Sequence, residues 1–573
     1  METNDRLVNF GIMCDAVSIE PWQYKCIMNL VKRKNIQLRV ILLTENEEKQ
    51  GSNQTKPSNI FAKFNKKKTQ QLNIIDHFSD AQVLRLAGDN LFLDAMKLEG
   101  FQLDFVLYFG TKQVDERLLE VPKYGFWSFQ YNNSANINDD SSLFWKMHLK
   151  DQLIPISLIK IGSNQNAHLV LKHGTFGVIK ESQRANQANY QSSIAEWPSL
   201  VYKSLMINGM HALQHEKNGL RNMNYSTPTM LTTIHFKCSL LLQIGKKLRD
   251  KLFLYEYWNV GIINKPIHEL LNNKHPKIEW LNDQKEVFFA DPFGYEDKNG
   301  VHLIMEELDH KVVKGFITTT HIQQRTPSEA VYHHGVITSD SHLSYPFILQ
   351  YKGTTYCIPE NSESNKVILY QLNPDSKSWV KTKVLLENFP GVDSTVIYYQ
   401  NKWWLFCTKA GSTPQSANNE LHIFYSDDLF GEWMPHMLNP VKVDIRAARP
   451  AGTPFIRQGV LYRPAQDCSE TYGGKVTFNQ VINLTPTQFQ EEIVSELEPD
   501  RTSSFPHGLH TVSSIGDLTL IDGKRKEYRF HHFIKKLYRF KPSKQLNKKS
   551  LAIAPQVFSS NWTNRKNSLK RVK

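Results

Sequence analysis

The sequence lacks long apolar runs: no stretch of its 573 residues approaches the roughly 20 that a membrane-spanning helix needs. Its opening, METNDRLVNFGIMCD, has no basic segment leading into an apolar core, so no secretory leader is expected there. Cysteine is scarce. Cys14, Cys26, Cys238, Cys357, Cys407 and Cys468 are scattered without a CxxC pair, and Cys357 and Cys407 sit in apolar runs that suit buried free thiols. There is no GxGxxG after a strand, no P-loop and no HExxH. His333–His334 and His531–His532 are adjacent pairs with no second ligand set, so neither a metal nor a cofactor is expected. These absences fit a cytoplasmic protein.

Basic charge is also missing from most of the chain, although the net charge is +13. Residues 524–573 hold 16 Lys/Arg against Glu527 alone, leaving 53 basic and 55 acidic residues in the first 523. The body is therefore not an expected nucleic-acid binder. In the tail, RFHHFIKKLYRFKP (529–542) places Phe530, Phe533, Ile534, Leu537 and Tyr538 on one helical face, with Arg529, Lys535, Lys536 and Arg539 on the remainder. That pattern fits a helix lying on an anionic membrane, peripheral at its inner face, or one docked by its apolar face on the protein's own body.

What is present divides into regions. Residues 1–224 read as a Rossmann-like α/β domain: strand-like runs at 7–14 and 37–44 flank Trp22, Cys26 and Leu30 at helical spacing, a βαβ opening, with further strands near 103–109, 125–129 and 154–161. Residues 46–72, rich in Lys, Asn and Gln, read as an exposed loop, and 225–275 as a partly helical linker. Residues 276–523 change texture, to short aromatic and β-branched strands separated by turns, and 524–573 form the basic tail.

The third region repeats. Asp291-Pro-Phe leads 15 residues on to Glu306, Tyr345-Pro-Phe to Glu360, and Asp393-Ser-Thr to Thr408; looser copies begin at Ala451 and near His510. Units of about fifty residues built on strand–turn–strand predict propeller blades, here five. If each copy is an inner hairpin, Asp291, Tyr345, Asp393, Arg449, His507 and His510 should converge at one end of the central channel, with Glu306, Glu360, Gln466 and Asp467 around them. The alternative for each acid is a strand-end cap or structural ion pair, and Asp467 beside Arg463 is a candidate for the latter. Trp403 and Trp404 should alternate sides of one strand.

The strings HLSYPF (342–347), IPE (358–360), VDST (392–395), WWLF (403–406), ARPAG (448–452) and RPAQDCSETYG (463–473) resemble the N-terminal domain of glucosamine inositolphosphorylceramide transferases, over roughly 280–523. That domain is similar to the five-bladed propeller of arabinan- and xylan-acting glycoside hydrolases, whose Asp base would fall at Asp291. The separate domain carrying the glycosyltransferase signature of the plant transferases is not seen here. DFVLYFG (104–110) and PKYGFWSF (122–129) make the first region resemble formyltransferases, but Ser128, Gln130 and Asn166 stand where that family has Asn, His and Asp. A Gln cannot replace a titrating imidazole, so formyl transfer is not expected unless Tyr131 or His148 substitutes.

Together these features predict a carbohydrate-active protein of glycan or glycoconjugate assembly, acting on a sugar, nucleotide-sugar or lipid-linked substrate. Asp291 would be the base, Glu360 or Glu306 the acid and Asp393 the tuning carboxylate, with Tyr345, Arg449, Gln466, Asp467, His507 and His510 binding substrate. A non-catalytic glycan-binding propeller and an N-terminal domain that transfers formyl or acyl groups to an amino-sugar are the rival readings.

Overall fold

The computed structural model describes residues 6–44, 71–86, 91–131, 140–209 and 228–528, except for short segments at 112, 164–166, 274, 285–286, 310–313, 323–330, 412 and 414. The expected loop at 46–72 falls almost wholly outside these residues. The tail helix at 529–542 and Asn166 also lie outside them.

The N-terminal strands form one seven-stranded sheet in the order Gln82–Leu86, Ile36–Thr44, Val8–Cys14, Phe105–Tyr108, Phe126–Tyr131, Leu153–Lys160, Leu169–Gly177. The first five run parallel and the last two antiparallel. The parallel strands read as almost unbroken apolar runs because helices cover both of their faces. Helices Pro21–Val31, Gln183–Ile194 and Trp197–Asn208 pack on the side carrying Phe10, Ile12 and Phe105. Helices Leu91–Glu99 and Glu116–Leu119 cover Met13, Val40 and Val106. The βαβ opening is present as expected, its helix begun by Pro21 and by a reciprocal cap between Glu20 and Gln23.

Five antiparallel sheets follow, arranged as a five-bladed propeller. Their innermost strands are Val287–Asp297, Ser344–Tyr351, Gly391–Tyr399, Phe455–Arg457 and Val512–Ile515. Apolar clusters fill the spaces between successive blades. Phe293, Phe347 and Trp403 belong to the cluster shared by the first three blades. Trp404 and Leu461 join the third to the fourth, Phe478 and Val512 the fourth to the fifth, and Leu518 and Leu303 the fifth to the first. Trp403 and Trp404 thus do face opposite sides of their strand.

The ring closes through a segment that the sequence reading placed in a linker. Strand Leu254–Ile263 pairs over ten residues with Leu518–Tyr528, so the last blade contains a strand from before the first. The propeller therefore takes in residues from 254, and its last strand runs on through Lys524 to Tyr528, past the expected start of the tail.

The two domains are docked. Val443 of the propeller belongs to the N-terminal core, and the Ile445 N–H donates to Thr175 O at 2.9 Å. Ser193 Oγ donates to Glu420 Oε1 at 2.5 Å, and Asn419 Nδ2 to Asn189 Oδ1 at 3.3 Å.

Candidate active site at the propeller axis

In the first three blades the hairpin register slips at the same place, at Ala290/Phe293, Ser344/Phe347 and Val392/Thr395. Each bulge puts a non-glycine residue in the left-handed region: Asp291 at φ 51°, Tyr345 at φ 45° and Asp393 at φ 50°. Such backbone costs on the order of 1 kcal/mol or more per residue and persists where surrounding structure fixes it. In the fourth blade the bond network meets Gly452 at φ 122°, where an added Cβ would lie 1.8 Å from Val512 O, so only glycine fits.

These residues meet at the axis. Tyr345 is fully buried and reaches across the channel, where its phenol oxygen accepts the Gly452 N–H at 2.5 Å. Asp291, 5% exposed, accepts the Tyr345 N–H at 3.2 Å and the Thr511 hydroxyl at 2.7 Å. Asp393, 2% exposed, accepts Arg449 Nε at 2.5 Å and Gln466 Nε2 at 2.7 Å. Glu360 accepts the Asp393 N–H at 3.2 Å and lies 4.0 Å from Arg449 Nη2. Glu306 lies 3.3 Å from His342 Nε2.

The electrostatics follow from carboxylates crowded out of water. Burial, reinforced by Glu306, Asp393 and Asp522 against the pull of His510, raises Asp291 to about 7. Burial and the neighbouring Asp393, opposed by Arg449, raise Glu360 to about 8. For His510 burial works downward, but Asp522 and Asp291 outweigh it and push the imidazole above its ordinary value. His342 is also pulled up, to about 9, by Glu306 and Glu360 against burial. The Gly315 N–H aimed at its Nδ1 at 2.9 Å nevertheless requires a lone pair there, so in this geometry the ring holds its proton on Nε2, facing Glu306.

Of the residues expected to converge, Asp291, Glu306, Tyr345, Glu360, Asp393, Arg449, Gln466 and His510 do so. Two do not. His507 is exposed and its Nδ1 accepts the Lys526 N–H, because the chain turns outward before His510. Asp467 alternates to the other side of its strand from Gln466, where it accepts the Ser469 N–H and faces Lys475. It does not pair with Arg463, whose partner is Glu491 at 2.6 Å.

Five residues join the site that sequence reasoning did not single out, the first being His342 beside Glu306. Asp522 accepts the N–H groups of His510 and Thr511 at 2.8 and 3.1 Å and that of Asp291 at 3.2 Å, tying the last blade to the first. Trp258 stacks on His510 at 4.1 Å. The buried Lys524, lowered by burial to about 8, donates to Tyr472 O. Tyr472, 37% exposed, lies under the Arg449 guanidinium at 5.0 Å and edge-on to His510. The site thus has two layers: Tyr472, Arg449, Glu360 and His342 are partly open to solvent, and Asp291, Asp393, Tyr345 and Gln466 lie beneath.

Asp291, His510 and Asp522 each offer a ligand atom, all within 4.8 Å of one another, and could hold a cation. His510 Nδ1 already stands 2.5 Å from Asp522 Oδ2 and its Nε2 3.6 Å from Asp291 Oδ1, so a protonated imidazole balances the two carboxylates as they stand.

Comparison with known proteins bears on this region. Residues 281–504 match the family described as glucosamine inositolphosphorylceramide transferase 1, N-terminal. The chain is 34% identical over 208 residues to glucosamine inositolphosphorylceramide transferase 1 of Oryza sativa subsp. japonica, covering 36% of this chain and 27% of that one. It is 32% identical over 219 residues to the protein of the same name from Arabidopsis thaliana, covering 37% and 28%. The chain therefore spans about a quarter of the length of the curated relatives it matches. Among solved structures, a family 117 glycoside hydrolase from Zobellia galactanivorans aligns with TM-score 0.31 and 12% identity, over 43% of this chain and 88% of that one. Phosphoribosylglycinamide formyltransferase from Bacillus halodurans aligns with TM-score 0.26 and 8% identity, over 36% and 98%. By sequence, the propeller of this protein is similar to the N-terminal domain of glucosamine inositolphosphorylceramide transferase 1.

Proposed function

We propose that this is a carbohydrate-active protein of glycoconjugate biosynthesis, and that the mouth of the propeller channel holds a glycosyl unit during transfer. The observation that carries the reading is the strain repeated in three blades: Asp291, Tyr345 and Asp393 all sit in left-handed backbone and all deliver their side chains to one axis. Strain spent three times on one point suits a site more than a scaffold. The name of the matched relatives, a transferase of glucosamine and inositolphosphorylceramide, supports an amino-sugar and an inositol-phosphate headgroup as the first compounds to try.

In this reading Glu360, raised to about 8, carries a proton at neutral pH and is the acid. Asp291, near 7, is the carboxyl able to accept one. Asp393 accepts from Arg449 and Gln466 and orients the guanidinium, which faces outward with Tyr472 to receive hydroxyl or phosphate oxygens. Paired carboxyl groups in opposite protonation states are what glycosyl transfer requires.

A second reading, a propeller that binds glycans without reacting, is favoured by one observation: both oxygens of Asp291 are already bonded within the propeller. Titration calorimetry with glucosamine, inositol phosphate and a uridine-diphosphate amino-sugar, together with mass spectrometry of mixtures of donor and inositolphosphoryl lipid, separates the two. The transfer reading expects product that disappears in Glu360→Gln and Asp291→Asn while the fold is kept. Binding without product in any mixture supports the second reading, and no binding to any of these compounds removes both.

A further inference from the structure

The helix Met230–Phe253 presents a face that nothing among the described residues covers. Phe236 is its buried residue, packed on Phe144 at 4.6 Å and near His148, which fixes the side that meets the N-terminal domain. At 100° per residue, Leu231, Ile234, Leu241, Leu242, Ile244 and Leu248 gather on the other side. All six are exposed, Leu231 by 80% and Leu242 by 74%. This inverts the usual arrangement, in which the apolar stripe of a surface helix faces the core. Twenty-four residues make a helix about 36 Å long, so the stripe is far more than singly scattered apolar side chains. No described helix is long and apolar enough to cross a membrane.

Two observations select what covers the stripe. The helix is basic, with Lys237, Lys246, Lys247, Arg249 and Lys251 against Asp250: by the same count Lys246 and Lys251 border the stripe, Lys237 and Arg249 fall on it, and Lys247 turns to the N-terminal domain, 3.3 Å from Glu181. The last described strand ends at Tyr528, whose hydroxyl meets Arg249 at 2.7 Å and Asp250 at 2.9 Å, so the strand that precedes the basic sequence 529–573 ends beside this helix. A basic tail does not complement a basic helix, and a second copy would bring like charges together. An anionic surface complements helix and tail at once.

We propose that the helix Met230–Phe253 lies flat on anionic lipid, its leucines at the acyl boundary and its lysines among the headgroups. The inference is independent of how the propeller axis is read.

Flotation of the full-length protein with phosphatidylcholine vesicles, with and without phosphatidylserine, tests it. Binding should be at least about tenfold greater on the anionic vesicles and should collapse in high salt. Leu241→Glu with Leu242→Glu, two exposed positions, should reduce it by about tenfold or more. The inference is overturned if wild type does not float, or if the double variant binds normally while Phe533→Glu abolishes binding, which would make the tail the sole anchor. It is equally overturned if wild type is a dimer that the double variant renders monomeric. Cys238 lies on the same stripe and is exposed, whereas the other five cysteines are buried. An environment-sensitive fluorophore attached there should therefore shift to the blue on anionic vesicles, and no shift overturns the proposal even if the double variant fails to fold.

Discussion

Arg449 and Asp393 meet at the propeller axis with Nε 2.5 Å from Oδ2, the arginine nearly buried and the aspartate on a left-handed bulge. The same guanidinium faces Glu360 and takes Asn418 Oδ1 at 3.0 Å, so one cation from the fourth blade serves carboxylates of the second and third.

Replacing that cation should leave an unpaired buried charge. Arg449→Met is expected to lower stability by about 3–5 kcal/mol at neutral pH, the usual cost of breaking a buried pair from one side. The remaining carboxylates would then hold their protons to higher pH than in the unfolded chain, a form of stability that is lost as pH rises. The deficit measured by urea denaturation should accordingly be smaller at pH 5 than at pH 8. An equal deficit at both would mean that Arg449 acts by packing alone.

The wild-type protein should itself lose stability between pH 6.5 and 8. Asp291 and Glu360 titrate at about 7 and 8 when folded but near the ordinary 4 when unfolded. The folded state therefore binds more protons across this window, and stability must fall as pH rises through it, by about 1 kcal/mol for each group. His510, raised by Asp522 and Asp291, acts in the same direction. His422 and His436, lowered by burial to about 3 and 4, act oppositely, but their contribution is complete by about pH 7. Asp291→Asn should flatten the profile, because an amide can still accept the Tyr345 N–H and donate to Thr511 Oγ1. A profile unchanged in that variant would show that Asp291 does not titrate there.

The hairpins of the propeller were readable because side chains alternate with period two and the bulge recurs at one register, which fixes a 15-residue step between facing positions. Asp522 escaped for the same reason. The last hairpin is shorter, so its acid answers His510 at a separation of 12, and a 15-residue step points instead to the exposed His507. The closing strand Leu254–Ile263 was hidden because its partner lies more than 250 residues downstream, and pairing at that distance leaves no local pattern. His342 and Tyr472 lay inside strings that were noticed, but their roles depend on contacts with other blades.

The N-terminal domain should not transfer formyl groups. Ser128 and Gln130 lie on the buried strand Phe126–Tyr131, with Ser128 Oγ donating to Tyr108 O at 3.3 Å, and neither can shuttle a proton near neutrality. His148, lowered by burial and by His235, packs among the rings of Phe144 and His235. Protein given a formyl-folate and an amino-sugar nucleotide should yield no formylated product by mass spectrometry. Product that vanished in Tyr131→Phe or His148→Ala would reverse this and make formyl transfer the leading activity.

The docking of the two domains should govern Arg449. The segment 442–449 carries Val443 and Ile445 into the N-terminal domain and ends at this arginine. On the neighbouring turn Asn419 meets Asn189, while Asn418 holds the guanidinium. Both supports of Arg449 are thus fastened to the other domain within a few residues. Val443→Asp places a charge in a shared apolar core, at a cost of several kcal/mol, and should separate the domains. Calorimetry is expected to resolve two unfolding transitions in place of one. Any sugar ligand found for the propeller should then bind about tenfold more weakly, since a freed arginine must be ordered again on binding. Asn419→Ala should weaken binding in the same direction by less, and Ile456→Asp, at an exposed position outside both supports, should do neither. Two transitions with unchanged affinity would show that the N-terminal domain is carried by the propeller without organising its site.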